Sequence, residues 1–525
     1  MVTGATVVLS GGLIGAAIMF HREDSRLERI EGVCRDDNCL PGSSAVDGWA
    51  HTFTVLGAIA LLITVLVFIG HVVGQPPKDK DGKPTGPSPH RTRAWWAVPL
   101  ALVGIGAGLL PAGAWASSLP GKAHTLAWSL PYENTGPKNG GSGYGSRSVW
   151  TFPAGGNLVR ATPDTITSHS LADGRRTWSV PAPVRRTICG TDTRTAGDVA
   201  LVGYARFDAP CAELTALDLV TGRTRWQQKL QYDTYDSSAT YGTFALAGRT
   251  AVAAETERLR AFDAATGKRA WTRKLAKGCR TVTLDASADR IHAVEECRKG
   301  HGTEAVTSRL LTLDAATGKQ LWRSALPVES RALTAYFTSV APLVLRIKEM
   351  DERGVDAFLA YDDQGRARAT LPVSRQATGN GNANANAIIG MPEQARVVGD
   401  RLITGVITPG DTSVRWVGAF SLGNGERQWL KRLPDTAKGL LTGADGRLTV
   451  LMNTSYTTHL VSYDLRNGRR TAPPLAVLGS NVPDPSAMTL YQGPGNTVVV
   501  ANEDDAAGTY RSSSDVPDSP LFAIR

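Results

Sequence analysis

From Leu310 to Trp322 the chain reads LLTLDAATGKQLW. Apolar Leu311 and Leu313 alternate with polar neighbours, an Asp follows, a tight turn closes at Gly318, and a Trp stands four residues on. Alternation with a period of two predicts a half-buried strand. Asp and Thr hydrogen-bond the local backbone and favour reversal, while Gly takes the positive φ that other residues resist. The segment therefore predicts a β-hairpin whose second strand carries a Trp.

The same pattern recurs as LTALDLVTGRTRW (Leu214 to Trp226) and LRAFDAATGKRAW (Leu259 to Trp271). Looser copies are ITSHSLADGRRTW (Ile166 to Trp178) and WVGAFSLGNGERQW (Trp416 to Trp429). Two more lack the Trp: FLAYDDQGRARA (Phe358 to Ala369), one residue shorter in the turn, and LVSYDLRNGRRTA (Leu460 to Ala472). The turn glycines, Gly174, Gly222, Gly267, Gly318, Gly365, Gly425 and Gly468, are spaced by 48, 45, 51, 47, 60 and 43 residues. A repeat of that length built of short strands and turns predicts a β-propeller with one four-stranded sheet per blade.

The ends of the region supply one more blade. Leu521 to Ile524 reads like the strand before a turn, and Leu126 to Pro131 like the strand after one. Pairing 123–131 with 520–525 closes the ring through an eighth blade and leaves no sheet edge exposed. Without that pairing the count is seven. The fold class predicted is thus all-β, an eight-bladed propeller over 117–525.

Residues 1–116 have a different pattern. Val2 to Phe20 carries no charge, Phe53 to Val73 is broken only by His71, and Trp95 to Ala116 has Trp near both ends. About 20 apolar residues span the hydrocarbon core, and Trp suits its interfaces. Three transmembrane helices are therefore expected, at 2–20, 53–73 and 95–116. The first lacks the basic n-region and cleavage site of a signal peptide, and a start upstream of Met1 would suit it.

Charge and cysteine then orient the chain. The loop 74–94 holds five Lys/Arg against four in the longer 21–51 loop, which puts 74–94 in the cytoplasm and the propeller outside. All six cysteines fall on the outer side of that topology, where disulfides form. Cys279 and Cys297 flank two consecutive predicted strands, and Cys189 with Cys211 and Cys34 with Cys39 follow by proximity. The net charge of +9 lies after residue 116, where 48 Lys/Arg face 39 Asp/Glu. That is a mildly basic surface and not a nucleic-acid stripe, so no nucleic acid is expected as partner. The segments 74–94, 134–148 and 376–387, rich in Gly, Pro, Asn or charge, read as linkers and loops.

Catalytic chemistry is sparse. His124, His169, His292, His301 and His459 form no metal-binding spacing, and there is no nucleophile elbow or phosphate-cradling loop. The acid clusters Glu295-Glu296, Glu349 to Glu352 and Glu503 to Asp505 read as solvated turns. No catalytic residue is named.

The period and the Asp-x-x-Thr-Gly-x-x-x-Trp motif resemble the PQQ-type repeats of quinoprotein alcohol dehydrogenases and of the propeller lipoprotein of the outer-membrane β-barrel assembly machine. The resemblance covers roughly 123–525. It implies that the motif Trp residues (Trp128, Trp178, Trp226, Trp271, Trp322 and Trp429) dock neighbouring blades. For the dehydrogenases it also implies PQQ on the propeller axis, a calcium ion held by carboxylate and amide side chains, a catalytic Asp and often a vicinal disulfide. This sequence has no adjacent cysteines and no Glu/Asn/Asp set matching that site by spacing. The expectation is therefore a membrane-anchored, extracytoplasmic binding, scaffold or sensing module for an envelope protein or extracellular ligand, with no cofactor. The alternative is a PQQ- and calcium-dependent dehydrogenase of an alcohol or sugar.

Overall fold

The computed structural model describes residues 2–31, 43–73, 97–118, 126–130, 150–192, 197–206, 211–231, 243–298, 306–328, 333–349, 354–373, 388–389, 394–408, 413–434, 436–453, 458–471, 475–477, 488–495, 497–502 and 521–525. Cys34, Cys39, Trp95, Trp96, His124, His301, Glu503 to Asp505 and the loops 74–94, 134–148 and 376–387 lie outside them.

Eight sheets make up the β region, an eight-bladed propeller. Blades 1 to 7 occupy 150–181, 187–229, 244–274, 279–325, 333–372, 388–432 and 437–477. Blade 4 shows the plan, with antiparallel strands Cys279–Ala286, Arg290–Arg298, Val306–Asp314 and Gln320–Ala325 hydrogen-bonded in chain order. First strands of neighbouring blades lie against one another, as Cys279–Ala286 does with Phe244–Ala247 and Leu333–Val340, so first strands are innermost and fourth strands outermost. Blade 6 departs from the plan. Its first strand comes in two pieces, Ile388–Ile389 and Arg396–Val398, which both pair with Arg401–Ile407.

Blade 8 closes the ring. Its strands are Met488–Gln492, Val498–Asn502 and Leu521–Ile524, with Leu126–Ser129 on the outside. Trp128 pairs with Ala523 and Ser129 with Phe522, so both ends of the β region share one sheet. Leu521, Phe522, Ala523 and Ile524 are wholly buried, which ties closure to the core.

The core is made of the faces between blades. Second and third strands are apolar on both faces, as in Val199–Ala205, because each is sandwiched between two other sheets. Outer strands alternate exposed and covered positions, as in Arg269–Lys274.

The N-terminal region is helical: α1 (Val2–Glu31), α2 (Ser43–Val73) and α3 (Ala97–Ser118). The expectation of three transmembrane helices needs correction, because among the described residues two helices are long and apolar enough to cross a membrane, over Val46–Leu66 and Val98–Ala116. In α1 the apolar run ends at Phe20 and the helix continues through His21, Arg22, Glu23 and Asp24, which dilutes its hydropathy. Helix α1 packs on α3 at glycines. A Cβ at Gly11 or Gly15 would lie 2.6 or 2.4 Å from a carbonyl oxygen of α3, and one at Gly104 or Gly108 2.4 or 2.1 Å from one of α1. Reciprocal small-residue steps of this kind let helix backbones approach closely.

Candidate functional site

The repeated turn explains itself chemically. Asp314 Oδ1 accepts the backbone N–H of Thr317 at 2.8 Å and its hydroxyl at 2.6 Å, while Gly318 N–H donates to Asp314 O at 2.9 Å. The Thr hydroxyl and amide bonds hold the Asp314 carboxyl below the usual carboxylate range. Asp218 makes the same contacts and is further bonded by Arg225, which brings it down to about 2. Gly318 is required twice over: φ is +70°, and a Cβ there would sit 2.7 Å from the Trp271 ring.

That second contact is the docking rule of the ring. Trp128 lies against Gly174, Trp178 against Gly222, Trp226 against Gly267, Trp271 against Gly318, Trp322 against Gly365 and Trp429 against Gly468. Each Trp thus covers the turn glycine of the next blade. Four of them also donate Nε1–H to the carbonyl just after that turn's first residue: Trp178 to Leu219 (2.9 Å), Trp226 to Ala264 (2.8 Å), Trp271 to Ala315 (2.9 Å) and Trp429 to Leu465 (3.2 Å). Trp322 Nε1 is buried with no hydrogen-bond partner among the described residues. The turn it faces, Asp362-Asp363-Gln364-Gly365, is one residue shorter than the regular reversal, although Trp128 Nε1, over the regular turn ending at Gly174, is likewise buried with no partner among the described residues. Blade 5 then has Ala369 in the Trp position, and a Cβ placed on Gly425 would lie 3.8 Å from the Ala369 Cβ.

The two ends of the ring differ. First-to-second and third-to-fourth connections leave from one end, the others from the opposite end. Of the seven connections longer than seven residues, six (130–149, 230–243, 373–387, 408–415, 478–487 and 503–520) are at the second end and one, 465–474, is at the first. Leu126, the first residue of the outer strand of blade 8, lies at the short-turn end.

Both described disulfides reinforce the long-loop end. Cys279 and Cys297 are directly opposite in register and bonded, at the base of the 299–305 connection. Cys189 is bonded to Cys211, at the foot of the connection before Glu213–Asp218. Buried charge lies alongside. Glu296 is wholly buried and accepts from Arg280 Nη2 (3.2 Å) and Arg298 Nε (3.4 Å), and Glu295 accepts from Arg309 Nε (3.1 Å). Arg309 Nη2 reaches both disulfide sulfurs, at 3.3 and 3.0 Å. One blade back, Glu255 accepts Gln231 N–H (2.7 Å) and ion-pairs with Arg258 and Arg260. Glu349 accepts Val355 N–H at 2.6 Å and is also buried. Glu295, Glu296 and Glu349 are therefore not the solvated turn acids their sequence suggests. Arg280 and Arg309 face them from the two neighbouring strands and Arg298 from the same strand, and these arginines were the available signal.

These carboxylates are consumed by structure, since a buried charge persists only when paired. Among the described residues no three His, Cys, Asp or Glu side chains gather to hold a metal. His292 bonds Thr312 Oγ1 at 2.8 Å and packs near Trp322 and Phe337, and His169 contacts Gly174 O at 3.1 Å. His459 is buried, which depresses its pKa to about 4 and keeps it neutral. What the geometry offers is a rigid disc whose loops sit on one disulfide-braced end.

Comparison with known proteins places the repeats. The profile of the family described as outer membrane protein assembly factor BamB matches residues 147–296 and 213–472, together well over half of the chain. No curated protein sequence matches. Among solved structures, BamB from Moraxella catarrhalis is 16% identical over 72% of this chain and 93% of its own, with a TM-score of 0.38. A europium-containing methanol dehydrogenase is 13% identical over 76% and 96%, TM-score 0.41. Quinohemoprotein alcohol dehydrogenase ADHIIG from Pseudomonas putida HK5 is 12% identical over 76% of each chain, TM-score 0.42.

Proposed function

The chain belongs to this family of PQQ-like propeller repeats, and from that premise we propose that it is a membrane-anchored docking platform. It binds a protein partner or other envelope ligand, outside the cytoplasm, on the long-loop end of the propeller. The observation that carries this reading is the asymmetry of the ring: six of the seven long connections and both described disulfides belong to one end. Loops on a rigid scaffold are where recognition concentrates.

The compartment follows from two features. Val46–Leu66 and Val98–Ala116 are long and apolar enough to anchor the protein. With 74–94 between them in the cytoplasm, Cys34, Cys39 and the propeller cysteines share the outer side however α1 lies. Disulfides at Cys189–Cys211 and Cys279–Cys297 suit an oxidising compartment.

Photo-crosslinking in native membranes tests the surface. A crosslinker at Glu257 or Arg298, on the loop end, should give a discrete adduct, and one at Thr266 or Ala316, on the turn end, none. Adducts from the turn end alone would overturn the assignment. Titration of the full chain in detergent with PQQ and calcium tests the function class. Saturable quenching of Trp fluorescence with alcohol- or sugar-dependent dye reduction would make the protein a dehydrogenase instead.

A further inference from the structure

The positive charge of the propeller is concentrated on its outermost strands. From turn glycine to strand end, blades 1 to 7 carry eighteen Lys/Arg and one acid, Glu426. That excess outweighs the net +9 of the whole chain. Thirteen of the eighteen are Arg, whose planar fork matches phosphate oxygens bidentately. Nearly all are exposed, among them Arg176, Arg223, Lys268, Arg269, Arg427 and Arg469. The turn aspartates offset part of this, and Asp218 and Asp362 ion-pair with Arg225 and Arg366. They are, however, held by the turn amides. Blades 2, 3, 6 and 7 stay clearly basic.

Solvent-facing edge strands are commonly charged to block strand addition. That device uses Lys above all and accounts for positive charge, but not for the preponderance of Arg around the ring. The distribution is informative too. Blade 8, whose outer strand Leu126–Ser129 directly follows the α3 connection, has no basic residue on that strand. The band runs over the other seven blades, and a long flexible chain would meet all of it.

We infer that the outer rim of the propeller is a binding surface for a linear, phosphate-bearing polyanion of the envelope. This surface is distinct from the loop end and does not depend on what docks there. A polyanion bound along several blades releases counterions from each, so binding is steeply salt-dependent and grows with polymer length.

The test uses the full chain in zwitterionic nanodiscs, with long-chain inorganic polyphosphate, tripolyphosphate and phosphatidylglycerol vesicles as separate probes. Long-chain polyphosphate should bind tightly at low salt, far more strongly than either other probe. Two rim variants, Lys268→Glu/Arg269→Glu/Lys274→Glu in blade 3 and Arg427→Glu/Arg432→Glu in blade 6, should each weaken it about tenfold or more and flatten the salt dependence. Thermal melts of both variants should match the parent, since these side chains are exposed. Vesicle binding equal to or above polyphosphate binding would make the rim a lipid contact and sink the proposal. So would unchanged polyphosphate affinity in folded variants, or no polyphosphate binding at low salt.

Discussion

Trp226 and Trp322 hold equivalent places and differ in one hydrogen bond, which makes them a controlled pair. Both rings cover the next blade's turn glycine, with an imagined Cβ 2.7 Å from Trp226 and 2.3 Å from Trp322. Trp226 Nε1 donates to Ala264 O at 2.8 Å, whereas Trp322 Nε1 is buried with no partner among the described residues. Phe in either position keeps an aromatic ring and removes the N–H. At 226 this leaves the Ala264 carbonyl without its donor, and at 322 it removes a donor that had no acceptor. The loss of size is common to both and cancels in the comparison. An unsatisfied buried polar group costs about 1–3 kcal/mol, so Trp226→Phe should destabilise by about that much more than Trp322→Phe. Trp322→Ala, which removes the ring itself, should cost about 3–5 kcal/mol. Urea denaturation of the full chain in detergent, followed by far-ultraviolet circular dichroism, measures all three without relying on the fluorescence of the altered residue. Equal costs for the two Phe variants would refute the role assigned to that hydrogen bond. An unchanged melt for Trp322→Ala would refute blade docking altogether.

Three further outcomes are expected. His459 has a folded pKa near 4 against 6.5 unfolded, so the unfolded chain binds more protons between those values. Stability should fall by about 3 kcal/mol as pH drops from 6.5 to 4, and His459→Leu should remove that slope in pH-dependent denaturation. The Cys279–Cys297 bond closes a loop of 18 residues, so the double Cys→Ser variant should lose about 3 kcal/mol, read from its urea midpoint. Arg368 Nη1 meets Asp400 Oδ1 at 3.0 Å between blades 5 and 6, with both side chains part-exposed; Arg368→Ala should cost under about 1 kcal/mol in the same assay.

The hairpin repeat was legible because its chemistry is local. Asp, Thr and Gly act on one another within five residues, and the Trp position follows from the strand that the turn starts. Closure was legible because each terminus carried half of that unit. Cys279 and Cys297 were legible as partners because they face each other across one antiparallel pair. What escaped the sequence depends on distant strands. Glu296 is buried because Arg280 arrives from a neighbouring strand and Arg298 folds back over it, and a single stretch of sequence does not show such pairing. The first helix misled because its apolar half was read without the charged turns that prolong it. The rim escaped because its residues are scattered at the repeat period and gather only when the outer strands line up.

The Trp–Gly contact occurs at six of the eight blade junctions, and the two without it are informative. Between blades 5 and 6, Ala369 replaces the Trp and an exposed ion pair replaces the stack. Between blades 7 and 8 there is no turn glycine to cover, because the outer two strands of blade 8 come from opposite ends of the β region. Blades 6 and 7 are thus flanked by the two least constrained junctions. Those junctions are crossed by the connections 373–387 and 478–487, both on the long-loop end. Long connections cross docked junctions as well (130–149 beside Trp128–Gly174 and 230–243 beside Trp226–Gly267), so the missing indole does not set loop length, but at these two junctions the connection has no indole contact beneath it. A partner that engages both connections would clamp both junctions at once. Its binding energy would then add to the stability of the ring, and occupancy and propeller stability would rise together.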